Sequence, residues 1–207
     1  MAYGDFTFRE AVKRFELTVI EQENLFAPVA ERVVSEFLRA TLAENVPLAL
    51  AIQTEKARSE LIIAPILVEV RRILDHRISL FSGVDFTVDI SQGLNGVCDY
   101  LISQSKEQFY IQAPVVTIIE AKNENIKAGI GQCAATLVAA QRFNVREGNQ
   151  LPAVYGAVTT GNMWRFLKLQ AHTLYIDRPE YYIDRVGTIL AILVQITSYA
   201  DDHNSAS

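Results

Sequence analysis

Glu120 and Lys122 close the stretch PVVTIIEAKN, two residues apart at the end of a segment otherwise apolar enough for the middle of a sheet. On a strand that spacing sends both side chains to one face, so a carboxylate and an ammonium share one location. A second acid, Asp99, stands in GVCDYLIS just after the turn-prone QGLNG, on the strand face of Val97 and Leu101. Ionised carboxylates are not buried alone, because desolvation is costly unless they are paired or bind a metal. Two such acids on neighbouring strands suit a hard divalent cation, with a backbone carbonyl and waters completing the oxygen shell that Mg²⁺ prefers. A cation held there lowers the pKa of a bound water, and a neighbouring lysine offsets negative charge that develops beside it. The plainer readings are a Glu120–Lys122 ion pair with no further role and an Asp99 that caps the turn after Asn95-Gly96.

The elements that position these residues follow from periodicity. The first 50 residues read as helical, most clearly PVAERVVSEFLRATLAEN, where Val29, Val33, Val34, Phe37 and Leu38 recur at helical spacing, Pro28 suits a first turn and Asn45 with Pro47 marks a stop. A second helix is expected over about 54–75, kinked or split at Pro65, which cannot bond the carbonyl of Leu61. After residue 77 the period shortens: RISLFSGVDFTVDI, GVCDYLIS and PVVTIIEAK predict three strands. The alanine-rich IKAGIGQCAATLVAAQRFN predicts a helix lying close on the sheet, followed by strands PAVYGAVTT and MWRFLKLQ joined at Gly161-Asn162, then TLYID. Val186, Ile189, Leu190, Leu193 and Ile196 predict a last helix, and DDHNSAS a polar tail. The expected fold class is α/β in a mixed α+β arrangement, one central mixed sheet flanked by helices.

The set GVCDY, then TIIEAK after 20 intervening residues, then an alanine-rich helix with Gln132 near its start resembles the PD-(D/E)XK nuclease superfamily, also called restriction-endonuclease-like. The upstream TEKARSELIIAPIL is similar to the helix that precedes the core strands in the nuclease domains of type I restriction enzymes, and the resemblance covers about residues 54–165. It implies a restriction-endonuclease-like core over 51–200, an N-terminal helical extension over 1–50 and a disordered tail over 201–207. It further implies Mg²⁺, replaceable by Mn²⁺, held by Asp99, Glu120 and the backbone carbonyl of Ala121, with Glu60 as accessory acid. Lys122 would assist the attacking water and the phosphate, and Gln132 would orient the site. Two departures stand out: Cys98 replaces the proline before the motif aspartate, and Thr136 stands where a Q-x-x-x-Y helix has tyrosine.

Each assignment has a plainer counterpart. Glu60 could pair with Lys56 one turn earlier, and Glu69 competes with it as accessory acid. Gln132 could tie down a loop, and Lys127 and Arg142, candidates for contacting phosphate, could be ordinary surface bases. His76 and His172 lack companions at zinc-like spacing. Trp164, Tyr155, Tyr175, Tyr181 and Tyr182 could stack on bases or fill the core.

A net charge of -5 argues against a protein that coats nucleic acid, yet leaves room for an enzyme that grips a few phosphates locally. Cys98 and Cys133 read as free thiols in a reducing compartment, the N-terminus lacks the apolar core of a leader, and no apolar run reaches the length of a membrane span, so a cytoplasmic setting is expected. The leading expectation is Mg²⁺-dependent hydrolysis of DNA, endo- or exonucleolytic, with RNA also open as substrate. The alternatives are an inactive nuclease-fold module binding nucleic acid or a protein, and a structural protein, a homodimer for instance, joined through its N-terminal helices.

Overall fold

The computed structural model describes residues 1–27 and 29–198, so Pro28 and the polar tail expected at 201–207 lie outside the described residues. In chain order the elements are α1 (Phe8–Arg14), β1 (Thr18–Ile20), α2 (Glu36–Ile52), α3 (Glu55–Arg58), a π-helical turn (Ser59–Ile63) and α4 (Ala64–Ile73). There follow β2 (Ser79–Asp85), β3 (Val97–Ser103), β4 (Val115–Ala121), α5 (Ile126–Arg146), β5 (Val154–Thr159), β6 (Met163–Gln170), β7 (Thr173–Ile176), β8 (Tyr181–Tyr182) and α6 (Val186–Ser198). One mixed sheet runs β1-β7-β6-β5-β4-β3-β2, with β8 beside β6. The pairs β4–β5 and β1–β7 are parallel and the others antiparallel.

Helices cover both faces. Ile62, Ile66 and Leu67 from the π turn and α4, with Leu190 and Leu193 from α6, pack on Ile119, Trp164 and Phe166. On the other face Cys133 and Leu137 of α5 meet Leu101, Ile118 and Val158, and Tyr3, Phe6 and Phe15 complete that layer. The central strand β4 is buried along its whole length, which explains its unbroken apolar run, because its neighbours occupy both edges and helices both faces. A long crossover is obligatory between parallel neighbours, and α5 provides it from β4 to β5. Among the described residues no helix is long and apolar enough to cross a membrane.

Three expectations change. The helix read from Pro28 begins at Glu36, because Ser35 is the residue whose side chain caps the first turn, accepting from the Leu38 amide at 3.1 Å. It does not stop at Asn45 but continues through Pro47 to Ile52; Ala43, whose carbonyl Pro47 cannot serve, is on the exposed side, open to water. The N-terminal region is mainly helical yet also supplies β1, an edge strand too short to show a period of two. The interruption expected at Pro65 is a π-helical turn that joins α3 to α4 just before the proline. The turn before it widens, the Ala64 amide bonding the Ser59 carbonyl, and Asn45 Nδ2 of α2 donates at 3.0 Å to the Leu61 carbonyl that proline leaves without its usual donor.

Candidate active site

The antiparallel ladder between β3 and β4 ends at Tyr100–Ile119. One step beyond, the Asp99 carboxylate takes over from the backbone and accepts the Ala121 amide at 2.8 Å. Lys122, just past the end of β4, brings Nζ to 3.9 Å from Asp99 Oδ2, while its own amide is fixed by the Thr159 carbonyl at 2.8 Å. The lysine stem lies across α5 at Gly129: a Cβ there would stand 3.0 Å from Lys122 Cγ and would collide with Val158. Gly131, two residues on, leaves room for the backbone of residues 6–8 to cross the same helix. The two glycines of AGIGQ are therefore slots for close approach.

Glu120 lies behind this pair, fully buried, and α5 reaches for both of its oxygens. Gln132 Nε2 donates to one at 2.6 Å, and Thr136 Oγ1 stands 3.3 Å from the other, its single proton shared with the Gln132 carbonyl one turn back at 2.8 Å. Residues four apart on a helix share a face, so Gln132 and Thr136 act as one clamp. Burial pushes the Glu120 carboxyl well above the usual carboxylate range, and the neighbouring Asp99 raises it further, while Lys122 and Thr136 pull the other way. The thiols of Cys98 and Cys133, buried and close to this acid, are likewise pushed up by desolvation.

Asp99 is about a third exposed and opens onto a groove of about 270 Å³ shared with Ala121, Ser82, Gly83, Glu55 and Glu60. The π turn is moored there by Tyr100, whose hydroxyl contacts Ser59 Oγ at 2.7 Å and donates to the Ser59 carbonyl at 2.9 Å. Glu60 thus faces the groove, with its carboxylate 2.7 Å from Lys56 Nζ, so the pairing and the groove-facing position coexist.

Asp99, Glu120, Lys122 and Gln132 are brought together, and Glu60 stands across the groove. Other expectations fall elsewhere. Glu69 is buried in α4 against Arg72, which bonds both of its oxygens, and this holds its carboxyl below the usual range. Arg142 is not at the site: it lies about 15 Å further along α5 than Gln132, 3.8 Å from Asp89 and over the ring of Phe15. Lys127 is exposed on the first turn of α5 and lines a different groove, with Glu124, Arg165 and Glu180. Trp164 is wholly buried and unavailable for base stacking. His76 bonds Arg71 at 2.7 Å.

Among the described residues no three acids, histidines or cysteines gather as a metal cluster, so the donor set is the two carboxylates and main-chain oxygen. That set fits Mg²⁺, which keeps several waters and needs only one or two protein carboxylates besides substrate phosphate. A cation would also relieve the crowding of two acids that burial and mutual repulsion make costly. Sequence marked Thr136 only as a departure from tyrosine and gave no sign of the moorings of the π turn, since each depends on a tertiary contact between helix and strand. No protein-family model, no curated protein and no solved structure matches this chain.

Proposed function

We propose that this protein is a nuclease of the restriction-endonuclease-like kind that hydrolyses phosphodiester bonds in DNA with Mg²⁺. One observation carries the reading: Asp99 and Lys122 meet where β4 ends, Asp99 opening onto a groove, with the buried Glu120 directly behind them. The β3–β4 pair, the α5 crossover and parallel β5 fit such a core. Divalent metal held by Asp99, Glu120 and the Ala121 carbonyl supplies Lewis-acid polarisation and a more acidic water.

The chain's own groups do the rest. Asp99, tied to the Ala121 amide, fixes the spacing between β3 and the end of β4. Gln132 and Thr136 hold the Glu120 carboxyl in a single orientation, so little reorganisation is required when charge develops. Lys122, partly shielded on Gly129, holds its ammonium 3.9 Å from Asp99, close enough to offset the charge of a phosphate bound beside that acid. Glu60 stands ready as an accessory acid once it leaves Lys56. The free thiols Cys98 and Cys133 suit a reducing, cytoplasmic setting.

The test is a cleavage panel of linear, circular, branched and single-stranded DNA, with RNA in parallel, under Mg²⁺, Mn²⁺ and chelator. Metal-dependent cleavage is expected, with D99N, E120Q and K122A each losing about 10²-fold or more, the scale of removing an electrostatic group from a reacting centre. Cleavage by E120Q or K122A equal to that of the parent overturns the assignment. Metal-independent binding without cleavage favours the inactive scaffold instead. A structural role through the N-terminal helices has its own support in the exposed Phe37, Leu48 and Ile52 of α2, and light scattering showing a monomer counts against it.

A further inference from the structure

Arg58, the last residue of α3, belongs to no motif, and its guanidinium is the unusual charge of this region. Nη1 donates to the Thr160 carbonyl at 3.1 Å, while Nε is buried with no partner. Among the described residues no carboxylate pairs with it, although Lys56 and Lys122 on either side of the site both have one. A guanidinium stays charged at any physiological pH, and a shielded charge with unused donors is costly unless a ligand completes it. Its planar fork suits the oxygens of a phosphate.

Its place gives that charge a use. Ala121 pairs with Thr159, and the Lys122 amide bonds the Thr159 carbonyl, so Thr160 lies next to the point where β4 gives way to Lys122. Asp99 approaches this point from β3 and Arg58 from the β5 side, on opposite flanks of β4. Two strand spacings separate those flanks, about 10 Å. The helix is held over the turn by Ile62, which fills the space beside Gly161.

We propose that Arg58 is an anion subsite that grips a backbone phosphate flanking the one at Asp99 and Lys122, so that the substrate is a polynucleotide strand lying across β3, β4 and β5. This rests on the nuclease reading for the identity of the neighbouring site, but binding alone can test it. A glutamine at 58 can keep the bond to the Thr160 carbonyl and removes the charge; methionine keeps only the stem; lysine keeps the charge without the fork.

Binding of DNA and RNA oligonucleotides is measured with chelator across a range of salt, and cleavage kinetics are measured separately with Mg²⁺. Thermal melting identifies which variants retain the fold, and R58M serves if R58Q does not. R58Q or R58M should bind about tenfold more weakly at 0.1 M salt, with the slope of log K against log salt shallower by about 0.7–0.9, the loss of one phosphate contact. R58K should keep most of the slope, and in cleavage the loss should fall mainly on KM. A folded neutral variant with the parent's slope and KM overturns the subsite while leaving a cleaving parent's assignment intact. A parent that binds in an Arg58-dependent way but never cleaves supports the subsite and overturns the hydrolytic reading. Inorganic phosphate competing as strongly as an oligonucleotide of equal phosphate content overturns the strand contact, and a parent that binds no polynucleotide overturns both proposals.

Discussion

Glu120 has hydrogen-bond partners at both oxygens and still carries the cost of its position, because two neutral donors do not replace the solvation of a carboxylate. Its raised pKa fixes a sign. The unfolded chain ionises this residue at the ordinary carboxylate value and the folded chain resists, so stability falls as pH rises from that value through the raised one, and at neutral pH a penalty is present. E120Q, nearly identical in shape, should therefore be more stable than the parent in chelator at pH 7, by about 1–2 kcal/mol. For a chain of this size that is a rise in Tm of roughly 2–4 °C per kcal/mol. Mg²⁺ should raise the Tm of the parent by mass action and that of E120Q much less. Melts with and without Mg²⁺ decide it, and a less stable E120Q in chelator contradicts the argument. At this scale sequence was informative for the charged residues whose spacing carries meaning, Asp99, Glu120 and Lys122, and for the amide Gln132. It was silent on Arg58 and marked Thr136 only as a departure from tyrosine; their partners lie 102 and 16 residues away.

The π turn links an ordinary proline to the shape of the groove. Pro65 denies Leu61 its usual donor, Asn45 supplies one from α2, and Ser59 and Glu60 are left facing Asp99. N45A should lower stability by about 1–3 kcal/mol, the cost of an unsatisfied polar group. In a P65A background, where an amide at 65 can serve Leu61, the same change should cost less, giving a coupling of about 0.5 kcal/mol or more in a double-mutant cycle. Denaturant titration of the four proteins measures it, and strict additivity would separate Asn45 from the proline. Helical character over 54–75 was legible from its period. How the proline would be accommodated was not, because the answer lies in a side chain from another helix. The start of α2 was misplaced for a related reason: Pro28 and Ser35 are both good starting residues, and only packing chooses between them.

On the scale of the whole molecule, the candidate site lies where β4, parallel to β5, ends and the chain turns into α5, the kind of position where open α/β sheets commonly bind ligands. The flank of α5 that grips Glu120 is itself held from outside by the N-terminal segment. Tyr3 donates to the Phe86 carbonyl at 2.6 Å, residues 6–8 cross α5 at Gly131, and β1 extends the far edge of the sheet beside β7. Tyr3, Phe6, Phe15 and Leu17 are all buried in the layer that contains Cys133 and Leu137. Burying a large apolar side chain contributes about 1.5–3 kcal/mol, so these four together rival the 5–15 kcal/mol by which a typical domain is stable. Removal of residues 1–20 should therefore abolish cooperative unfolding rather than trim an appendage. It should leave α5 without its cover and the Glu120 clamp unsupported, with cleavage and amide protection of α5 lost together. Circular dichroism melts and hydrogen exchange on the truncated chain provide the measurement. A sharp transition near the parent's Tm would make residues 1–20 an accessory, and the loss of cooperativity would make them part of the same folding unit as the site.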